Sequence, residues 1–371
     1  MIYFFSTIMI LGILLYVFSV IIMITGMKKN LYTQNANTPP VTIVIAAHNE
    51  KDTISACLAS LYKQDYPHKL ISIIVADDRS SDGTAESIAK LADSSISLTV
   101  VRIDTCPQGI SPKKNALSKA LALVKDDIVL QTDADCILPD GWVRGMVSHF
   151  NADTGMLVGV APYRQQPGWI NSFVRHEYLW NCALASGTIA YGRGTHASGR
   201  NMGFRMRAFR EAGGYGDGIK VLSGDDTLLL HGIRHHTDYK VVSAVSPHTH
   251  VYTDSPPTLK ALLRQRLRHM STGKYFDMLH LLLGTGIYGF HIIIISMILL
   301  SSIEPLLLIP LGVELTVKLL ADLYAAKNVQ NISGLQPEWR RFILNEIILF
   351  VYMAIIPVMG TLFSVEWKEI P

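Results

Sequence analysis

Asp133-Ala134-Asp135 sets two carboxylates at i and i+2, a spacing that lets both reach one divalent ion while diphosphate oxygens and water fill its other positions. Oxygen donors of this hardness favour Mg2+ or Mn2+. A solvated turn can carry the same Asp-x-Asp, so placement separates the two readings. This pair follows an apolar run, Asp127 to Gln131, and so falls where a strand ends.

A second acidic stretch, Asp77-Asp78-Arg79-Ser80-Ser81-Asp82-Gly83-Thr84, combines carboxylates and hydroxyls that suit a base and a ribose. Its Gly83 permits a tight turn before a helix. A loop that only caps that helix through Ser81 or Asp82 has the same composition. Asn49 and Glu50 close the first apolar run and line the same crevice. Ser111-Pro112-Lys113-Lys114-Asn115 opens another helix with two cations, one of which can reach a phosphate or remain in solvent.

Ser223-Gly224-Asp225-Asp226-Thr227 supplies a further acidic pair, preceded by Ser198-Gly199-Arg200-Asn201-Met202-Gly203 and Gly213-Gly214-Tyr215. A carboxylate that touches an acceptor hydroxyl there can take its proton. The same two acids can also cap the helix expected over Thr227 to Ile233. Gln265-Arg266-Leu267-Arg268-His269 adds planar donors that match phosphate oxygens, in a basic stretch that equally suits the fixing of membrane orientation. His231 and His235 share helical spacing, but no glutamate stands between them to activate water, and they are read as structural.

The elements that would hold these residues alternate. Val41 to Ala47, Ile71 to Ala76, Leu98 to Ile103 and Asp127 to Gln131 read as strands. Between them come helical patterns over Ile54 to Leu61, Thr84 to Ala92 and Asn115 to Val124. Strands separated by helices imply a parallel sheet with right-handed crossovers, and ligands of such sheets bind beyond the carboxyl ends of the strands. Both acidic clusters occupy such ends. Leu157 to Ala161 and Val241 to Val245 read as further strands.

The chain has 371 residues, of which 49% are hydrophobic, and the apolar residues crowd its two ends. Ile2 to Gly26 carries no charge, and at about 1.5 Å per residue it reaches across a hydrocarbon core of roughly 30 Å. It lacks the basic start and cleavage site of a signal peptide and is read as an uncleaved anchor. Leu281 to Ile303, Pro305 to Leu320 and Phe342 to Phe363 are further candidate spans, with Glu314 interrupting the one over Pro305 to Leu320. Lys28, Lys29, Arg264, Arg266, Arg268, Lys274, Lys318, Lys327, Arg340 and Arg341 all fall on the side of the long polar segment, and only Lys368 falls opposite, so that segment is expected in the cytoplasm. The organisation expected is an anchor over 1–27, a catalytic domain over 28–280 and a membrane region over 281–371. Cys57, Cys106, Cys136 and Cys182 show no close pairing, which suits reduced thiols. The net charge of +3 reflects basic residues at the apolar borders, and no nucleic-acid partner is expected.

Taken in order, these motifs resemble those of glycosyltransferase family 2, inverting enzymes of GT-A fold, over about residues 40 to 275. The resemblance rests on Val41 to Glu50, Asp77 to Thr84, Thr132 to Asp135, Ser198 to Phe204, Gly213 to Tyr215, Gly224 to Asp226 and Gln265 to His269. It implies a nucleotide-sugar donor, with a UDP-sugar favoured, held by Ala47, Asn49, Glu50, Asp78, Lys113 and Asp133, and a metal at Asp133 and Asp135. It implies Asp226 as general base beside Asp225, and Gln265 and Arg268 near acceptor and diphosphate. Three positions depart from the family pattern: Ala46 stands for a proline, Asp225 for a glutamate, and His269 for the tryptophan that would stack on an acceptor sugar. A multi-pass protein of the bacterial inner membrane is expected, transferring to a lipid or lipid-linked acceptor. A processive polysaccharide synthase subunit and a non-catalytic scaffold that binds nucleotide-sugar are the alternatives.

Overall fold

The computed structural model describes residues 2–29, 35–91, 95–221, 223–270 and 278–362. The chain forms two compact units. One is built on a sheet (Lys29–Arg164 and Thr188–Ser255), and the other is helical (Met1–Lys28, Gln165–Gly187 and Pro256–Pro371). Elements are numbered in chain order from α1 (Ile2–Lys29), which belongs to the helical unit.

The sheet unit runs β1 (Val41–Ala47), α2 (Ile54–Leu61), β2 (Ile71–Asp78), α3 (Thr84–Lys90), β3 (Ser97–Ile103), α4 (Pro112–Leu121), β4 (Ile128–Asp133), α5 (Trp142–Val147) and β5 (Thr154–Gly159). After α6 (Trp169–Ile189) it resumes with β6 (Met202–Arg205), α7 (Met206–Glu211), α8 (Asp225–His236) and β7 (Lys240–Ala244). The strands lie in the order β3-β2-β1-β4-β6-β5-β7. The first four in that order are parallel, as the alternation implied. β6 runs antiparallel to both β4 and β5, so the sheet is mixed rather than parallel throughout.

Alternation along each central strand splits the core in two. Ile43, Ile45, Ile73, Val75 and Leu130 pack with Ile54, Leu58 and Leu61 of α2 and Trp142 and Met146 of α5. Val44, Ile74 and Val129 turn the other way, in one cluster with Ala116, Leu117 and Leu121 of α4 and Leu229, Leu230 and Ile233 of α8. Full burial of one such side chain contributes about 1.5–3 kcal/mol. β3 ends the sheet and leaves Ser97, Thr99 and Val100 exposed, a polar and β-branched edge.

Several helices differ from the sequence expectation, α4 covering Pro112–Leu121 rather than Asn115 to Val124. α8 begins at Asp225, not Thr227, because Gly224 takes φ 78° and turns the chain directly into the first helical turn. In the helical unit, which also holds α9 (Leu259–Met270), α10 (Met278–Leu300) and α12 (Phe342–Leu362), the apolar stretch 305–320 does not stop at its charges. It continues as α11 (Leu308–Ser333), because Glu314, Lys318 and Asp322 fall on the same buried stripe as Leu311, Ala325 and Val329. Lys318 donates to Asp322 at 2.6 Å and to Glu346 of α12 at 3.1 Å, and Tyr16 of α1 donates to Asp322 at 2.6 Å. Gly334, at φ 76°, ends α11. Among the described residues one helix segment, Thr7–Lys29, is long and apolar enough to cross a membrane, and Gly284–Leu300 is a shorter apolar helix.

Candidate active site

Register brings three strand ends side by side: Ala47 of β1 opposes Asp77 of β2, and Ala46 opposes Asp133 of β4. The loops after β1 and β2 are one hydrogen-bonded piece. Asn49, at φ 55°, donates its amide to Ser80 Oγ at 2.9 Å and accepts the Ser81 amide at 3.0 Å. Glu50 N donates to Thr84 Oγ1 at 2.9 Å, and Lys51 N to Asp82 Oδ2 at 3.0 Å. Asp82 also accepts the Thr84 amide at 3.0 Å, so it serves the start of α3 as its composition suggested. Ala47 is 2% exposed and offers its neighbours a backbone rather than a side chain.

Asp78 is also buried, and both its oxygens are taken by Arg79, which at φ 56° folds back onto it at 2.9 and 3.0 Å. Asp77 next to it is 2% exposed, and its Oδ1 has no hydrogen-bond partner among the described residues. A buried carboxylate oxygen left in this state costs free energy unless a donor meets it. The sequence motif contained Asp77 but gave it no role, since only strand alternation separates the two acids.

A second constellation gathers on β4, α4, α8 and the glycine-rich turn at Gly199. Lys113 Nζ lies 2.8 Å from Asp133 Oδ1 and 3.4 Å from Asp225 Oδ2. Gln131 donates to the same Asp225 oxygen at 3.0 Å. Asp226 accepts the Gly199 amide at 2.7 Å and its neighbour Thr227's amide at 2.5 Å. Burial first, and the adjacent Asp225 charge second, push the Asp226 carboxyl up to about 6, with Lys113 pulling the other way. Burial would lower Lys113, but Asp133 and Asp225 outweigh it and hold the ammonium above the usual lysine range. The site therefore holds a carboxylate of raised basicity beside a fixed cation. Gln131, missed in the sequence, was signalled only by its being an amide inside an apolar strand.

Asp135 is exposed; its Oδ2 accepts from Thr253 Oγ1 at 3.1 Å and its Oδ1 from Cys136 Sγ at 3.4 Å. Among the described residues no group of three or more histidine, cysteine, aspartate or glutamate side chains could enclose a metal ion. Asp133 and Asp135 thus offer two hard carboxylates at an open edge. That donor set fits Mg2+ or Mn2+ completing its shell with phosphate oxygens and water, and does not fit a closed structural site. Gln265 and Arg268 lie on α9 of the helical unit, whereas the residues above lie in the sheet unit. His231 and His235 stack on each other, ring centroids 6.2 Å apart. All four cysteines are free thiols.

A mixed α/β sheet with acids at adjoining strand ends places the chain in the class of GT-A-like folds. Residues 42–213 match the family described as Glycosyl transferase family 2, and residues 128–365 match Glycosyl transferase family group 2. The chain belongs to glycosyltransferase family 2. A beta-monoglucosyldiacylglycerol synthase from Synechocystis sp. is 33% identical over 127 residues, 33% of this chain and 26% of that protein. A poly-beta-1,6-N-acetyl-D-glucosamine synthase from Staphylococcus aureus is 27% identical over 237 residues, 63% of this chain and 54% of that protein. The chain thus spans about half or less of the length of these curated relatives. The mannosyltransferase PcManGT from Pyrobaculum calidifontis, solved in complex with GDP-Man and Mn2+, superposes with a TM-score of 0.56 at 16% identity, over 97% of this chain and 95% of that one. That likeness establishes the fold.

Proposed function

We propose that this protein is a metal-dependent, inverting glycosyltransferase that moves a sugar from a nucleotide-sugar, a UDP-sugar by preference, to a lipid or lipid-linked acceptor at the cytoplasmic face of a membrane. The observation that carries the reading is Lys113 bridging Asp133, at the carboxyl end of β4, and Asp225, which opens α8 beside Asp226. Asp226 takes the proton of the acceptor hydroxyl. The oxygen attacks the anomeric carbon from the face opposite the diphosphate, a carbon–oxygen bond forms, and the bond to the diphosphate oxygen breaks. Lys113 offsets negative charge between Asp133 and Asp225. Ala47, Asn49, Glu50 and Asp78 hold the nucleotide, and Gln265 and Arg268 carry their acceptor and diphosphate roles from family resemblance alone. Asp133 and Asp135 would hold Mg2+ or Mn2+, which supplies Lewis-acid stabilisation of the leaving diphosphate when bound.

The lipid acceptor is supported by the diacylglycerol named for the Synechocystis relative and by the apolar α1. We place the anchor at 1–27, the catalytic domain at 28–280 and a multi-pass membrane region at 281–371, in a bacterial inner membrane. The longer match to a poly-N-acetylglucosamine synthase favours a second reading, a processive polysaccharide synthase subunit.

The test is UDP release by the full-length, detergent-solubilised protein from a panel of UDP-sugars with native lipid extract, with and without EDTA. Asp135→Ala and Asp226→Asn are assayed alongside. Turnover abolished by EDTA and reduced about 100-fold or more in each variant is expected, with label in the lipid fraction. Long water-soluble product instead selects the polymer reading. Donor binding without turnover, in wild type and with every acceptor tried, leaves a scaffold and ends the enzyme reading.

A further inference from the structure

Lys114 neighbours the cation of the site but points elsewhere. It is 1% exposed, and its ammonium donates to three backbone carbonyls, those of Gly218 at 2.8 Å, Val221 at 2.7 Å and Ser223 at 2.8 Å. An ammonium has three protons, so these bonds use them all. The three acceptors lie in the turn Gly216–Lys220, whose Gly216, Asp217 and Lys220 face solvent, and at Val221 and Ser223 beyond it. The Ser111 amide donates to Ile219 O of the same turn at 2.9 Å. The first turn of α4 therefore grips this stretch from inside. Gly224, Asp225 and Asp226 come directly after it.

Burying an ammonium is costly, and an apolar side chain would fill the same space at less expense. Burial pushes the Lys114 ammonium down to about 8, against the pull of Asp225 and Asp226. What this arrangement gains is a fixed path for the backbone that delivers both acids.

We propose that Lys114 is a positioning residue for the acidic pair. By holding the carbonyls of Gly218, Val221 and Ser223 it lets Gly224 present Asp226 to the Gly199 amide and Asp225 to Lys113. The inference rests on the reading of Asp226 as the proton acceptor. The charged and titratable groups around Asp226 are Asp225 on its own helix, Lys113 and Lys114 on α4, Asp133 through Lys113, and the Tyr215 hydroxyl. Loss of the Lys114 charge with the others in place raises the Asp226 carboxyl further.

Lys114→Met and Lys114→Gln in the full chain, assayed beside wild type and Asp226→Asn, test the proposal. In Lys114→Met, kcat is expected to fall about tenfold or more, with UDP affinity within about twofold of wild type and the acid limb of kcat/KM at higher pH. Lys114→Gln keeps two N–H donors without the charge and is expected to lose less kcat with the same movement of the limb. A variant that binds UDP and keeps kcat within about twofold of wild type overturns the proposal, and so does a loss of kcat with an unmoved acid limb. If neither variant binds UDP, the lysine serves the folding of the whole sheet unit and the proposal also falls. Active wild type beside silent Asp226→Asn keeps the reading of the site whatever the lysine variants do; inactive wild type defeats that reading, and the inference with it.

Discussion

Asp226 can accept a proton only while ionised, so its raised carboxyl sets the acid side of the pH profile. Its ordinary value of 3.8 is displaced to about 6 by burial and then by Asp225. Activity is therefore expected to be present above about pH 6 and lost as pH falls through it, in kcat/KM for the donor. Asp225→Asn removes the like charge and should carry that limb to lower pH while kcat on the plateau also falls, because Lys113 loses the charge of the oxygen it shares with Gln131. A limb that stays in place in Asp225→Asn assigns the titration to another group. At this scale much of the site was legible: Asp133, Asp225, Asp226 and Lys113 are charged residues at places where the apolar runs stop. What escaped depends on contacts no spacing encodes. Arg79 neutralises Asp78 by adopting φ 56°, and the turn after β2 leaves Asp77 as the acid with an unmet oxygen.

Glycines show how elements divide the work between fold and chemistry. A Cβ at Gly199 would stand 2.9 Å from Asp225 Oδ2, 3.2 Å from Lys113 Nζ and 3.3 Å from Gln131 Nε2. All three are the far ends of side chains that can give way, and all three belong to the site. Gly199→Ala should therefore lower kcat about tenfold or more while the unfolding midpoint moves little. A Cβ at Gly155 instead meets the root of Tyr239, whose Cγ lies 2.9 Å away, and Gly155 sits where the pairing of β5 with β7 shifts register. Gly155→Ala should cost about 1–3 kcal/mol of stability by overpacking, read by denaturant unfolding, with residual activity per folded molecule retained. The opposite pattern in the pair would show that the Gly199 turn is held by packing rather than shaped for the acids. The strand carrying much of this geometry, β6, was invisible as a strand in the sequence. Its four residues, Met202-Gly203-Phe204-Arg205, are too short for a period of two, and its antiparallel partners are distant in the chain, the nearest pair being Val158 with Met202. α11 runs past the end expected at Leu320 for a related reason, since Lys318 and Asp322 find Glu346 and Tyr16 far away in the chain, while the Glu314 oxygens are buried with no hydrogen-bond partner among the described residues.

For the whole molecule, the reading requires the sheet unit to stand where nucleotide-sugars are made and kept, on the cytoplasmic side. Among the described residues Thr7–Lys29 is long and apolar enough to cross a bilayer, and it ends on Lys28 and Lys29, which on this reading face the cytoplasm. Cys106, in the sheet unit between β3 and α4, is the half-buried thiol of the four, while Cys57, Cys136 and Cys182 are buried. Burial raises its thiol somewhat, with Arg79 pulling it back, so labelling is best run near pH 8. A membrane-impermeant maleimide is expected to leave Cys106 unlabelled in intact spheroplasts and to modify it in inverted vesicles, with Cys106→Ser abolishing the signal in the vesicles. The protein should stay in the pellet after alkaline carbonate extraction, as an integral protein does. Label taken up from outside intact cells would place Asp133, Asp225 and Asp226 on the side without donor, and the orientation together with the nucleotide-sugar chemistry would have to be abandoned. Release by carbonate would keep the chemistry and remove the anchor, leaving the apolar α1 to find its cover in another chain.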